Sequence, residues 1–334
     1  MKTYSAERLD WLRHHKPTTR QEYLDITAHA GPFPPAFPRT VYLEIGAQCN
    51  LDCTFCSKPT RRAFPREMDT ETIERVIREC ARSGTYAIYF HDFNEPLLHL
   101  GKLLPAIRCA KAHGIPITAV TTNCTPLSPR TMQLLIDNGL DTLHCSFEGA
   151  NVALYERVRG VKHHVIENRI IGAVSTRNAI NRRRADGQRL PWIAITCVRT
   201  EETDDEVAAF LRRWRDVVDD IEIRPALEFL GRTQFADAIV PQHRIPCRYM
   251  GDRLIVTADG TVTACSIDLD ADLALGNVMD GATLTSIWQS ERYRHLWALH
   301  QWGQWNALPE PCKSCQSYDF TATGRSQHLK QTIR

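Results

Sequence analysis

The stretch VYLEIGAQCNLDCTFC, residues 41–56, governs the reading of the whole chain. It opens with a short apolar run closed by a glycine, the pattern of a buried strand. The chain then runs into Cys49, Cys53 and Cys56, a CxxxCxxC spacing that puts three thiols on one loop. Three soft ligands leave a fourth metal of a cluster unsatisfied, and that open position is where a second molecule can be bound and activated. The alternative is a closed zinc site with a distant fourth ligand, for which CxxC pairs are usual and this triplet is not.

Working outward, short apolar segments at 41–46, 86–93, 117–123, 142–148, 192–199 and 220–226 alternate with amphipathic ones at 69–83, 99–113, 127–138, 151–180 (interrupted) and 203–217. Strand-helix repetition of this kind predicts an α/β fold. Right-handed crossovers would wind six parallel strands into a partial (β/α)6 TIM-like barrel, with ligands at the strand C-terminal ends. Beyond about residue 230 the pattern changes. Ala258-Asp259-Gly260 reads as a turn joining two short strands, and residues 283–301 read as helical. The expected organisation is therefore a helical and proline-rich extension over 1–40, with helices near 5–15 and 19–29, a barrel over 41–230, and a small C-terminal hairpin-plus-helix cluster domain over 231–334.

The 334 residues are 43% hydrophobic and 24% charged, and 41 Lys and Arg stand against 39 Asp and Glu. A net charge of +2 gives no case for nucleic acid or a membrane surface as partner. No apolar run reaches the roughly 18 residues of a membrane span, and the N-terminus lacks a secretory apolar stretch, so a cytoplasmic location is expected. In that reducing compartment, twelve cysteines point to metal ligation or redox chemistry rather than to disulfides.

The triplet, with Phe55 just before its third cysteine, resembles the radical S-adenosylmethionine (SAM) superfamily. FHDFNEPLL at 90–98 is similar to that family's GGEP-type segment, TTNCTPL at 121–127 to its TNG segment with Cys124 in place of glycine, and LHCSFEG at 143–149 to its ISxDG segment. The resemblance implies a four-iron, four-sulfur (4Fe-4S) cluster on Cys49, Cys53 and Cys56. Its open iron would bind SAM, whose reductive cleavage gives a 5'-deoxyadenosyl radical that abstracts a substrate hydrogen. It further implies that Glu95 holds the methionine amino group, with Phe55, Asn123 and Ser146 as further SAM contacts, and that a flavodoxin- or ferredoxin-type protein donates the electron.

Cys247, Cys265, Cys312 and Cys315 offer four ligands, which closes a site; by spacing alone a zinc knuckle serves as well. The run from 247 to 266, LGNV at 275–278 and PCKSC at 311–315 resemble the SPASM/Twitch extension of the same superfamily. No cysteine follows Cys315, so the resemblance is to the one-cluster Twitch form and implies a single auxiliary 4Fe-4S cluster, two clusters in all.

Of the remaining cysteines, Cys80 and Cys109 read as packing residues. With Ser146 inside the barrel, strand alternation turns Cys145 toward the helices. Cys197 and Cys124 are left as candidate thiols that return a hydrogen atom to a substrate radical. Arg224 shares a strand face with Glu222, and it or Arg199 could hold a carboxylate or phosphate of SAM or substrate; the alternative is an ion pair bracing the barrel. The overall layout resembles Twitch-bearing dehydrogenases of the type that oxidises an aminocyclitol in butirosin biosynthesis. This implies epimerisation or dehydrogenation at a carbinol carbon of a small polar substrate: a sugar, aminoglycoside, aminocyclitol or nucleoside. Two rivals remain: modification of a ribosomally made peptide, and a non-catalytic zinc-binding interaction protein.

Overall fold

Alternation along the strands and a three-to-four residue rhythm along the helices give the chain one apolar layer to bury. The computed structural model describes residues 36–56, 67–149, 151–183, 190–199, 205–225, 244, 246, 247, 249–315 and 327–330; the expected helices near 5–15 and 19–29 lie outside them. In it β1 (Thr40–Leu43), β2 (Ala87–Tyr89), β3 (Ile117–Thr122), β4 (Thr142–Ser146), β5 (Trp192–Arg199) and β6 (Asp220–Pro225) pair side by side in sequence order, all parallel. This is the partial barrel of α/β units expected from the sequence.

α1 (Thr70–Arg82) shows how the sequence makes such a unit. Asp69 caps it by accepting from the Thr72 amide at 2.8 Å, and Ile73, Val76, Ile77 and Cys80 form the buried stripe that packs on the sheet. α2 (Leu100–Ala112), α3 (Pro129–Asp137), α4 (Val152–Arg159), α5 (His163–Asn181) and α6 (Val207–Trp214) follow their strands in turn. The amphipathic segment at 151–180 is split between α4 and α5 by Gly160, whose φ of +71° ends α4 in the left-handed conformation glycine adopts at no steric cost.

The C-terminal region is not a detached hairpin. β7 (Arg253–Val256) lies parallel to β1, with Thr40 opposite Arg253 and Leu43 opposite Val256, and β8 (Thr261–Thr263) and β9 (Ala274–Asn277) extend the same sheet antiparallel. A tenth strand, β10 (Gln327–Lys330), closes the far edge against β6. Sequence pattern identified the 258–260 turn, but strand pairing across some two hundred residues leaves no local signal. α7 (Leu284–Trp288), α8 (Glu291–Gln301) and α9 (Glu310–Lys313) complete this region. Glu79 of α1 caps α7, accepting from the amides of Leu284 at 3.0 Å and Thr285 at 2.8 Å, and Arg75 donates to the Val278 carbonyl at 2.6 Å. Barrel and C-terminal region are thus joined by sheet, cap and side chain.

The outward strand face, including Val41, Leu43, Ile88, Val120, Leu143 and Ile195, is buried under the helices; each such side chain contributes about 1.5–3 kcal/mol. The inward face carries instead Tyr42, Tyr89, Thr121, His144, Ser146, Thr196, Glu222 and Arg224. A closed barrel fills this space with branched aliphatics; here it is polar and aromatic. Among the described residues no helix is long and apolar enough to cross a membrane.

Candidate active site

The cysteine loop leaves β1 and is held from three sides. The Cys56 amide donates to the Cys53 carbonyl at 2.9 Å, and the Thr54 amide donates to the Val158 carbonyl at 3.0 Å, tying the loop to the end of α4. From the end of β3, Asn123 donates through Nδ2 to Asn50 Oδ1 at 3.0 Å and to Cys49 Sγ at 3.7 Å. Cys53 is buried, and burial pushes its thiol up to about 11, against the opposing pull of the Arg159 guanidinium.

Arg159, which sequence reasoning missed, is the cation of the site. It is buried on α4, donates through Nη1 to Cys53 Sγ at 3.6 Å, stands 5.1 Å over the Phe55 ring, and forms a bidentate pair with Glu148, one arm at 2.5 Å. Its signal was present in the sequence: helix periodicity places Arg159 one turn from Tyr155, on the buried stripe.

Glu95 sits at the mouth of β2, 1% exposed. Its carboxylate accepts from Thr122 Oγ1 at 2.8 Å, the Asn123 amide at 2.6 Å and the Leu97 amide at 3.1 Å. Burial pushes its pKa up to about 7 despite these bonds. A ligand ammonium placed beside it would restore the charged form. The Glu95 amide in turn donates to the Gln48 carbonyl at 2.8 Å, so carboxylate and cysteine loop are positioned together.

Ser146 is half-buried on the inward face of β4, in line with His144. His144 lies 6.3 Å from the Tyr89 ring, which stacks on Tyr42 at 4.9 Å. Arg253 stands over Tyr42 and Tyr249, at 5.1 Å and 3.9 Å, forming the floor of this aromatic group. Arg224 is ion-paired with Glu222 on the same face. Arg199 ends β5 opposite Pro225, and its side chain lies outside the described residues.

The two thiols singled out as hydrogen donors face away from the cavity. Cys197 lies on the outward face of β5 with Ile193 and Ile195, in the core. Cys124 is fully buried, packs against Cys145 and donates to the Thr122 carbonyl at 3.6 Å. Strand alternation, which turned Cys145 outward, turns Cys197 outward too. Cys124 also has φ +65°, at the position where the resembled segment carries glycine.

Cys247, Cys265, Cys312 and Cys315 are separated in sequence but neighbours in space: Cys265 is pushed well up by burial and by the proximity of the other three thiols. Arg244 secures the CxxC loop, donating to the carbonyls of Lys313 at 2.8 Å and Cys312. Among the described residues no group of three or more His, Cys, Asp or Glu side chains is set to hold a single metal ion. Four neighbouring thiols supply the ligand set of a cluster, which binds each thiolate at its own iron.

The profile of the radical SAM superfamily matches residues 43–213, and that of an iron-sulfur cluster-binding domain, SPASM, matches residues 247–316. The chain is similar to the PqqA peptide cyclase of Gluconobacter oxydans, 25% identical over 312 residues, 84% of this chain and 84% of the relative. The GTP 3',8-cyclase of a Synechococcus species is 30% identical over 145 residues, 41% of either chain. Among solved structures the fold is similar to BtrN in complex with AdoMet and 2-DOIA, with TM-score 0.58 and 17% identity over 85% of this chain and 95% of that one. It is also similar to Streptococcus suis SuiB bound to precursor peptide SuiA, with TM-score 0.62 and 14% identity over 90% of this chain and 76% of that one.

Proposed function

The chain belongs to the radical SAM superfamily and carries a SPASM-type iron-sulfur domain, and from that premise we propose that it modifies a ribosomally made peptide. The observation that carries this reading is the similarity to PqqA peptide cyclases over 84% of the chain, spanning barrel and cluster domain alike. The fold shared with SuiB, whose structure holds a precursor peptide, supports it. The sugar or aminocyclitol substrate implied by the first resemblance takes second place, favoured by the fold shared with BtrN and by the four-cysteine auxiliary set. Within this second reading epimerisation needs a thiol that returns hydrogen, and both candidates, Cys197 and Cys124, are turned into the core, which favours dehydrogenation by electron loss to the auxiliary cluster.

Cys49, Cys53 and Cys56 would hold the catalytic cluster, which supplies the electron for reductive SAM cleavage when bound. A coordinated thiol is deprotonated outright, which would reverse the preference that burial imposes on Cys53. Glu95 would take the SAM ammonium, and Arg159, already paired with Glu148, would set a fixed positive charge between Cys53 and Phe55. Asn123 would hold Cys49 in position, with Ser146 at the neighbouring strand end. The polar inward face, with His144, Tyr89 and the Glu222-Arg224 pair, would receive the substrate. Cys247, Cys265, Cys312 and Cys315 would hold one auxiliary cluster, with a flavodoxin- or ferredoxin-type protein as external reductant.

The test is anaerobic incubation of the reconstituted enzyme with SAM, dithionite and, separately, short peptides encoded beside its gene and a panel of aminocyclitols and nucleosides. A peptide that changes mass with matching 5'-deoxyadenosine supports the proposal. Turnover of the small molecules with no peptide altered would overturn it.

A further inference from the structure

Two buried hydrogen-bond donors of the C-terminal region have no acceptor among the described residues. α8 carries Trp297 and His300 three residues apart, hence on one helix face. They are 3% and 2% exposed, and neither Trp297 Nε1 nor His300 Nε2 has a hydrogen-bond partner. An unpaired buried donor keeps the full cost of leaving water, and proteins rarely leave two together without something to receive them.

This face lies against the segment that carries Cys247. The Cys247 amide donates to His300 Nδ1 at 3.4 Å, so the proton of the neutral ring belongs to Nε2, the atom without a partner. The Trp297 ring packs so closely on Gly251 that a Cβ there would come within 2.3 Å of Cζ3. On the other side His300 meets Trp305 edge-on, with centroids 6.3 Å apart. Arg244, which grips the carbonyls of the Cys312–Cys315 loop, stands 5.3 Å over that same Trp305. One packed group thus ties His300 to the Cys247 segment and to the Cys312–Cys315 loop.

Two buried N–H groups on a helix face packed against the Cys247 segment call for an acceptor, and a cluster held by four thiolates offers sulfur acceptors and negative charge. We infer that His300 and Trp297 donate hydrogen bonds to sulfurs of the auxiliary cluster and so raise its reduction potential. Donation to sulfur stabilises the extra electron of the reduced form. The inference rests on the reading that Cys247, Cys265, Cys312 and Cys315 hold an iron-sulfur cluster.

The experiment uses the full chain carrying Cys53→Ala, which leaves the auxiliary cluster as the sole redox signal. Iron is counted, and the midpoint is read by titration followed by electron paramagnetic resonance. With iron content unchanged, His300→Phe is expected to shift the midpoint negative, His300→Gln, which keeps an N–H, to shift it less, and Trp297→Phe to shift it in the same direction. An unmoved midpoint in His300→Phe at full iron content overturns the inference. So does loss of iron in both His300 variants, which would make the residue structural. Absence of iron from the Cys53→Ala parent fails the underlying cluster reading instead, and is recognised before any His300 variant is made.

Discussion

The two cysteine sites are built by opposite means. Cys49, Cys53 and Cys56 fall on one loop, and the fold supplies only their surroundings: Asn123 from β3, Arg159 from α4 and Glu148 beyond β4. Cys247, Cys265, Cys312 and Cys315 span most of the C-terminal region and become neighbours only through a hairpin, a sheet edge and two helices. The first is a short motif set into a charged environment; the second is a product of tertiary structure. The β1–β7 pairing joins the two sites through one sheet.

The sharpest way to break the comparison is to remove one thiol from each site. Cys53→Ala should abolish SAM cleavage and all turnover, whereas Cys312→Ala should leave part of the SAM cleavage and impair substrate conversion. Assay of 5'-deoxyadenosine alongside product separates the two, and equal losses in both variants would erase the distinction between an open and a closed site.

The surroundings of the first site can be tested without iron. Arg159→Met strands the buried Glu148 carboxylate, and urea unfolding should show a loss of about 3–5 kcal/mol; replacing both residues with apolar ones should recover most of it. An unchanged urea midpoint in the single variant would mean that the pair is not buried in solution.

Glu95 gives a smaller, pH-dependent effect. Its folded pKa of about 7 lies above the ordinary 4.5, so proton uptake favours the folded state. The associated stability is fully present below about pH 4.5 and lost as pH rises through about 7. The gap is worth ~3 kcal/mol, and Glu95→Gln should flatten the unfolding profile across that window. In the loaded enzyme, SAM should bind more tightly as pH rises through 7, as its ammonium meets a carboxylate. Titration calorimetry that finds no such trend would remove Glu95 from the SAM site.

Smallest of all is Cys197→Ala, which should cost ~1 kcal/mol of stability and leave turnover and product unaltered. A shunt product from this variant would show that the thiol reaches substrate after all.

The barrel was legible because six strand segments alternate in order with five helical ones, and the catalytic loop because three thiols lie so close in sequence. The parallel β1–β7 pairing was not legible, since its partners lie some two hundred residues apart. Arg159 escaped notice because a lone arginine late in a helix looks like a solvated residue until Glu148 is seen to face it. Cys197 shares the outward face with Cys145 because Cys145 lies opposite Ile195, a register set by strand pairing and not by local sequence. The proposed peptide substrate left no mark on the motifs, for cavity-face residues such as His144 and Tyr89 read in sequence as ordinary strand positions.

The most direct test of the account is anaerobic reconstitution with iron and sulfide, followed by an iron count and a search for 5'-deoxyadenosine after dithionite reduction with SAM. About eight irons per chain, with 5'-deoxyadenosine formed, is the predicted result; zinc in place of iron, with SAM left intact, would contradict it.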